Sequence, residues 1–363
     1  MKKTAALALI LSLFLQAVGL TACGSSATDE SQQSSETTNK TITVGFSQLG
    51  AESDWRSANT ESMLSALSEE NGYTMIYKNG QQKQANQVTA LRMFIQQGVD
   101  YIILAPETET GWEFVLGEAK EAGIPVIIVD RKVDVNDTSL YTCWVGSDFE
   151  LEGRKMAAWI REYTTLKGMS PEDIHIVNIQ GTIGSTAQLG RTAGLESAAK
   201  EYGWNILASE SGDFTEAKGR EVMASFLKKY DNINIVYCEN DNEAIGAIDA
   251  IEAAGKKAGP NIDEGEILVV SFDGINQKAL EYLEEGKISC IAECNPLHGP
   301  RVQALIETLE SGETPEKLNY VPENLFSSIT EIKTVTVDGI SYDIQMPEID
   351  DTSEGAETEE TGT

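Results

Sequence analysis

From residue 41 onward, short apolar runs alternate with longer stretches whose apolar residues recur every three or four positions. The short runs, rich in Val and Ile, have the period of strands, and the longer stretches have the period of helices. In the first half the pattern predicts strands over 42–46, 73–77, 101–104 and 126–129, with a weaker one over 141–145. Between them it predicts helices over 54–70, 84–97 and 111–122. In the second of these, Val88, Leu91, Phe94 and Ile95 share one face. A helix over 149–163 crosses to a second half, where the alternation restarts. There the strands fall at 174–179, 205–208, 233–237, 267–272 and 288–292, and the helices at 185–202, 215–228, 242–254, 277–284 and 299–309. Residues 325–344 carry two more extended runs.

Strand–helix alternation repeated twice predicts an α/β fold of two doubly wound parallel-sheet domains joined by a hinge. The expected division is an N-terminal lobe over 41–150 with a returning C-terminal segment, a C-terminal lobe over 151–300, and a crossover and closing segment over 301–346. The run Pro125-Val126-Ile127-Ile128-Val129 is apolar throughout, as expected of a parallel strand buried on both faces. It ends in Asp130-Arg131. Ligands of open α/β sheets bind beyond the carboxyl ends of the strands, so these two residues stand where chemistry is expected.

The two ends of the chain lack this pattern. Lys2-Lys3, the apolar stretch 4–20 and Leu20-Thr21-Ala22-Cys23 predict a signal peptide over 1–22. The small residues before Cys23 resemble a bacterial lipobox, which implies cleavage before Cys23 and lipidation of its thiol. Residues 23–40 and the acidic stretch 347–363 predict a disordered tether and tail. The 58 acidic against 27 basic residues give a formal charge of −31, which repels nucleic acid and anionic membrane surfaces. Cys143, Cys238, Cys290 and Cys294 form no disulfide framework and read as small buried residues. His175 and His298 are too far apart in sequence to suggest zinc, so neither metal nor cofactor is expected.

The other strands also end in polar groups. Glu52, Trp55 and Arg56 follow the first strand, Arg191 lies in a helix of the second half, and Asp213-Phe214, Glu239-Asn240-Asp241, Asp273-Gly274 and Glu293 follow later strands. Carboxylates accept from hydroxyls, guanidiniums donate planar forks, and aromatic faces cover the C–H side of a sugar ring. Each also has an ordinary structural explanation. Asp54 or Asp241 can cap a helix, and for Asp241 this is the favoured role. Asp273-Gly274 is a common turn pair, Trp55 and Phe214 can be core, Arg56 can pair within its helix, and Glu239 is expected in solvent. Phosphate-loop, nucleotide-fingerprint and nucleophile-elbow motifs are missing from the sequence. Arginines beside Asp130 and Asp273 are expected to keep these carboxylates ionised, against glycosidase chemistry.

In order along the chain, Asp130-Arg131, Arg191, Asp213-Phe214, Asn240-Asp241 and Phe272-Asp273-Gly274 resemble the ligand-contacting pattern of the periplasmic sugar-binding proteins of bacterial ABC transporters, the ribose/galactose group of type I fold. The resemblance spans about residues 41–330. Val44-Gly45-Phe46-Ser47-Gln48, Trp55-Arg56, Gly80-Gln81-Gln82-Lys83-Gln84, Gln180-Gly181-Thr182 and Ser211-Gly212-Asp213-Phe214-Thr215 look like its galactofuranose-binding members. It implies a non-enzymatic monomer that binds a monosaccharide, a furanose by expectation, through Glu52, Trp55, Arg56, Asp130, Arg131, Arg191, Phe214, Asn240, Asp273 and Glu293. It further implies a membrane permease and ATPase as partners, with the protein held by lipid on the outer face of the membrane. A sensor that presents sugar to a receptor kinase is the alternative. A repressor would need a basic DNA-binding segment where the export signal stands.

Overall fold

A computed structural model describes residues 41–347. The expected signal peptide, lipidated Cys23, tether and acidic tail lie outside the described residues.

Two sheets organise the chain. The first half contributes β1 (Ile42–Gln48), β2 (Tyr73–Asn79), β3 (Tyr101–Leu104), β4 (Val126–Val129) and β5 (Cys143–Gly146), with helices α1 (Asp54–Ala66), α2 (Gln84–Gln97) and α3 (Glu113–Glu121). The second half begins with α4 (Phe149–Leu166) and β6 (His175–Gln180), then α5 (Thr186–Tyr202), β7 (Asn205–Ser211), α6 (Glu216–Lys229) and β8 (Ile235–Cys238). It continues through α7 (Asp241–Ala253), β9 (Leu268–Asp273), α8 (Gln277–Glu284) and β10 (Cys290–Glu293). The chain then returns to the first lobe with α9 (His298–Glu310) and β11 (Leu318–Tyr320), and ends on the second with β12 (Leu325–Ser327), β13 (Thr334–Val337) and β14 (Ile340–Gln345).

The first sheet has the order β11-β5-β4-β3-β1-β2, all neighbours parallel. The second has the order β13-β14-β12-β10-β9-β8-β6-β7. Its β6–β10 part is parallel, but β12 runs antiparallel to β10 and β13 antiparallel to β14. The two extended runs expected over 325–344 are therefore three strands. The three-residue β11, too short to leave a periodic signal, forms the edge of the other sheet.

Alternation within the strands sorts the core onto both sheet faces. Phe46, Ile103, Ile127, Val129 and Val145 pack on one side of the first sheet, where α1 and α9 lie; Ile102, Leu104, Val126, Ile128 and Trp144 pack on the other, under α2 and α3. The helix entering the site starts at Ser53, whose hydroxyl accepts from the Arg56 N–H at 3.2 Å. Such a cap satisfies one of the free donors of the first turn. It fixes Trp55 and Arg56 at the helix N-terminus, both buried, and Trp55 Nε1 donates to the Cys294 carbonyl just after β10 at 2.6 Å. Glycines let α4 and α5 approach closely: a Cβ on Gly194 would lie 2.4 Å from the Gly153 carbonyl carbon. That contact sets Arg191 of α5 beside Glu152 of α4.

The chain passes between lobes three times, at Ser147-Asp148, at 294–297 and at 321–324. Glu323 on the third passage accepts from the Ser147 hydroxyl at 2.6 Å and from the Asn295 N–H at 2.7 Å, so one carboxyl ties all three together.

Candidate functional site: an interlobe pocket

Between the carboxyl ends of the two sheets lies a narrow cavity of about 30 Å³ lined by Glu52, Ser53, Trp55, Arg56, Asp130, Arg131, Phe149, Ala187, Arg191, Phe214, Asn240, Asp273 and Cys294. That is far below the roughly 300–1,000 Å³ of open ligand pockets, so the two lobes stand close together here. It gathers the sequence-predicted site residues with one exception. Glu293 lies outside the lining and accepts from Asn295 Nδ2 at 3.2 Å and from the Asn324 N–H at 2.9 Å. The side chain of a strand's last residue follows the alternation of that strand, and here it serves the third crossover. Phe149, Ala187, Ser53 and Cys294 line the cavity without having been singled out from sequence. Phe149 was the most accessible of these, being an aromatic at the first position of a helix just after a strand end.

On the first lobe, Arg56 Nη2 donates to Asp130 Oδ2 at 2.6 Å and Arg56 Nε to Glu52 Oε1 at 3.1 Å. The partner of Arg56 is thus both a carboxylate one turn away and one from a different strand end. Its Nη1, buried, meets no protein acceptor. Burial works against the guanidinium's charge, but Asp130 and Glu52 outweigh it and raise its pKa. Arg131 is pushed the other way, by burial first and by the neighbouring Arg56 second. It donates to the Glu107 carbonyl and sits 5.7 Å from the Phe214 ring of the other lobe.

On the second lobe Arg191 is the organiser. Its Nε donates to Glu152 Oε2 at 2.8 Å, its Nη2 to Asp273 Oδ1 at 3.2 Å, and its Nη1 to the Glu239 carbonyl. The guanidinium lies 4.7 Å from the Phe272 ring. Burial opposes its charge, but Glu152 and Asp273 prevail and raise its pKa. Asp273 itself is raised well above the carboxylate range, by burial first, with Asp241 and Glu152 adding to it against Arg191. Desolvation of this enclosed carboxyl thus works against the guanidinium's attraction.

Two further structural roles differ from expectation. The cap of α7 is Asn240, whose Oδ1 accepts from the Glu243 N–H at 2.8 Å while its Nδ2 donates to the Phe214 carbonyl at 3.1 Å. Asp241 instead folds inward. It accepts from the N–H groups of Gly274 at 2.9 Å and Ile275 at 3.0 Å and from the Ser271 hydroxyl at 2.9 Å, and so shapes the turn after Asp273. Glu239, expected in solvent, is fully buried. It accepts from the Thr192 hydroxyl at 2.5 Å, from Asn178 Nδ2 at 3.2 Å and from the Gly181 N–H at 2.9 Å. Burial pushes its pKa to about 7 against those bonds.

Several site positions carry backbone strain. Asp130 (φ 62°), Phe214 (φ 60°) and Asp273 (φ 92°) all sit in the left-handed region. Asp tolerates this better than most residues, but for Phe it is uncommon. Phe214 is held there by its N–H bond to Glu243 Oε1 at 2.9 Å and by Gly181, where a Cβ would fall 1.9 Å from the ring. Strain held in place by surrounding contacts concentrates at functional sites.

The fold and this cleft define a periplasmic binding protein: the family's domain model matches residues 44–299, and the chain belongs to that family. Among its relatives is the galactofuranose-binding protein YtfQ of Escherichia coli (strain K12), 41% identical over 290 residues that cover 78% of this chain and 87% of the relative. A crystal structure from Mycobacterium smegmatis in complex with β-D-fucofuranose superposes with a TM-score of 0.74 at 40% identity, covering 79% of this chain and 91% of that one. The binding component of the arabinose ABC transporter from Shewanella sp. ANA-3, bound to α- and β-L-arabinofuranose, gives a TM-score of 0.73 at 38% identity, covering 79% and 92%.

Proposed function

We propose that this protein is the substrate-binding lipoprotein of a sugar ABC importer and that it captures a monosaccharide in furanose form, galactofuranose or a close relative, without transforming it. The observation that carries this reading is the convergence of Arg56, Asp130 and Arg131 from one lobe and Arg191, Asn240 and Asp273 from the other on one interlobe cavity. Three guanidiniums and three carboxyl groups line it, with Glu52 as the third acid. Such a wall offers alternating donors and acceptors, which suits a ring whose every hydroxyl donates one bond and accepts others. Phe149 and Phe214 supply apolar faces for the C–H side. The furanose preference rests on the relatives bound to fucofuranose and arabinofuranose. Each charged hydrogen bond contributes about 1.5–3 kcal/mol before ordering and desolvation are subtracted.

In this reading the lobes close over the sugar, the closed form delivers it to a membrane permease powered by an ATPase, and a lipid on Cys23 keeps the protein at the outer face of the membrane. Among the described residues no helix is long and apolar enough to span a bilayer. A thermal-shift series with D-galactose, L-arabinose, D-fructose and D-glucose tests the ligand. A ligand that binds only the folded state stabilises by about 2.7 kcal/mol at a hundred times its Kd. Sugars that populate furanose rings are expected to raise the melting temperature, with D-glucose inert. No response to any of them at millimolar concentration would overturn the reading. Replacing Cys23 by Ala is expected to release the protein from cells into the medium.

A further inference from the structure

Apart from the bonds at the crossovers, two separate sets of polar bonds join the lobes outside the pocket. In the first, Asp54 at the start of α1 faces the second lobe. Its N–H donates to Asn242 Oδ1 at 3.4 Å, Asn242 Nδ2 donates to Asp54 Oδ2 at 3.0 Å, and the Nδ2 of Asn276, the cap of α8, donates to that same oxygen. In the second, the Lys132 N–H donates to the Thr186 hydroxyl at 2.8 Å, and that hydroxyl donates to Glu109 Oε1 at 2.9 Å. None of Asp54, Glu109, Lys132, Thr186, Asn242 and Asn276 lines the cavity. Three of them adjoin residues that do: Asp54 stands between Ser53 and Trp55, Lys132 follows Arg131, and Thr186 precedes Ala187.

We propose that these two sets are latches that set how long the closed form persists, so that Asp54 with Asn276 and Thr186 with Glu109 are positioning residues that control ligand release without touching ligand. The bonds span the two lobes, so they are lost when the lobes part. Each latch acts next to residues that line the cavity, and therefore pulls the two half-sites into register. Asp54 is exposed and its partners are half-buried. Water competes for these groups in the open form, and the latches hold closure without making it permanent. Two separate bonds to one carboxylate oxygen in the first set, and a hydroxyl used as both acceptor and donor in the second, give each set more than one bond.

The assignment rests on the proposed sugar binding for its probe. Stopped-flow tryptophan fluorescence with D-galactose and with L-arabinose reads association and release, because Trp55 is in the cavity wall. The pair Asp54→Ala with Asn276→Ala, and separately Thr186→Val, are expected to raise koff about five- to fiftyfold with kon changed less than about threefold, as fits the loss of one or two modest hydrogen bonds from a closed state. The two sets share no residue and are expected to combine. An unchanged koff in both variants, or an equal loss in kon, overturns the latch. Should the wild-type protein respond to no sugar, the binding reading fails instead. The latch is then read in the ligand-free protein by small-angle scattering: a larger radius of gyration in the variants supports it, and identical radii overturn it.

Discussion

Glu239 supplies the sharpest test of the electrostatics. Its carboxyl is fully buried at the end of β8 and bonded to Thr192, Asn178 and the Gly181 backbone. Its pKa moves from 4.5 to about 7 because burial costs more than those bonds return. As pH rises, the unfolded chain loses this proton near 4.5, whereas the folded chain keeps it until about 7. Between the two the folded state binds more protons, so stability falls with pH across that window and is level above it. At about 1.4 kcal/mol per pH unit the loss is ~3 kcal/mol. Glu239→Gln matches the neutral carboxyl in shape and cannot ionise. The variant is expected to equal the wild type at pH 4.5 and to exceed it by ~2–3 kcal/mol at pH 8. Urea unfolding at both pH values measures this, and taking the difference between the two proteins cancels the titration of Asp241, also raised by burial to about 6. A stability gap that is the same at pH 4.5 and pH 8 would refute the reasoning.

Other outcomes follow from the same geometry. Arg191→Met leaves the carboxyls of Glu152 and Asp273 buried without their cation. It is expected to cost about 3–5 kcal/mol in denaturant unfolding and to abolish sugar binding by calorimetry. Asp130→Ala and Arg131→Ala are expected to abolish sugar binding while thermal unfolding stays cooperative; an unchanged titration for both would defeat the proposed site. Gly181→Ala drives a methyl into the Phe214 ring, and is expected to weaken sugar binding at least tenfold, read by the same titration. Cys143, Cys238, Cys290 and Cys294 are buried free thiols, and burial raises Cys143 to about 11. They are expected to react with a thiol reagent only once denaturant is added.

The order of elements was legible because most strands are apolar throughout and most helices carry a clear stripe. Val126–Val129 and Gln84–Gln97 fall where the pattern puts them. Strand β11 was not legible, since Leu318 and Tyr320 are exposed and only pairing to β5 makes them a strand. The end of the first helix was read past Ala66 because the polar stretch through Glu70 keeps helical propensity; the chain turns there into a short 3₁₀ segment at Glu69–Asn71. Among site residues, strand-end acids and arginines stood out because charge after an apolar run is conspicuous. Whether such a charge points into the cleft or away was hidden, as Glu293 and Asp241 show, because that depends on one backbone turn. Glu239 looked solvated because nothing nearby in sequence announces Thr192 or Asn178.

The thrice-crossed path has a consequence for synthesis. The first sheet lacks its edge strand until Tyr320 has been made, and the second lacks β12 to β14 until Gln345. Both halves gain their last strands only within the final stretch of the described chain. A chain passed through a membrane pore in extended form would meet this requirement without delay, since the segments that finish each half emerge together, after everything they must embrace.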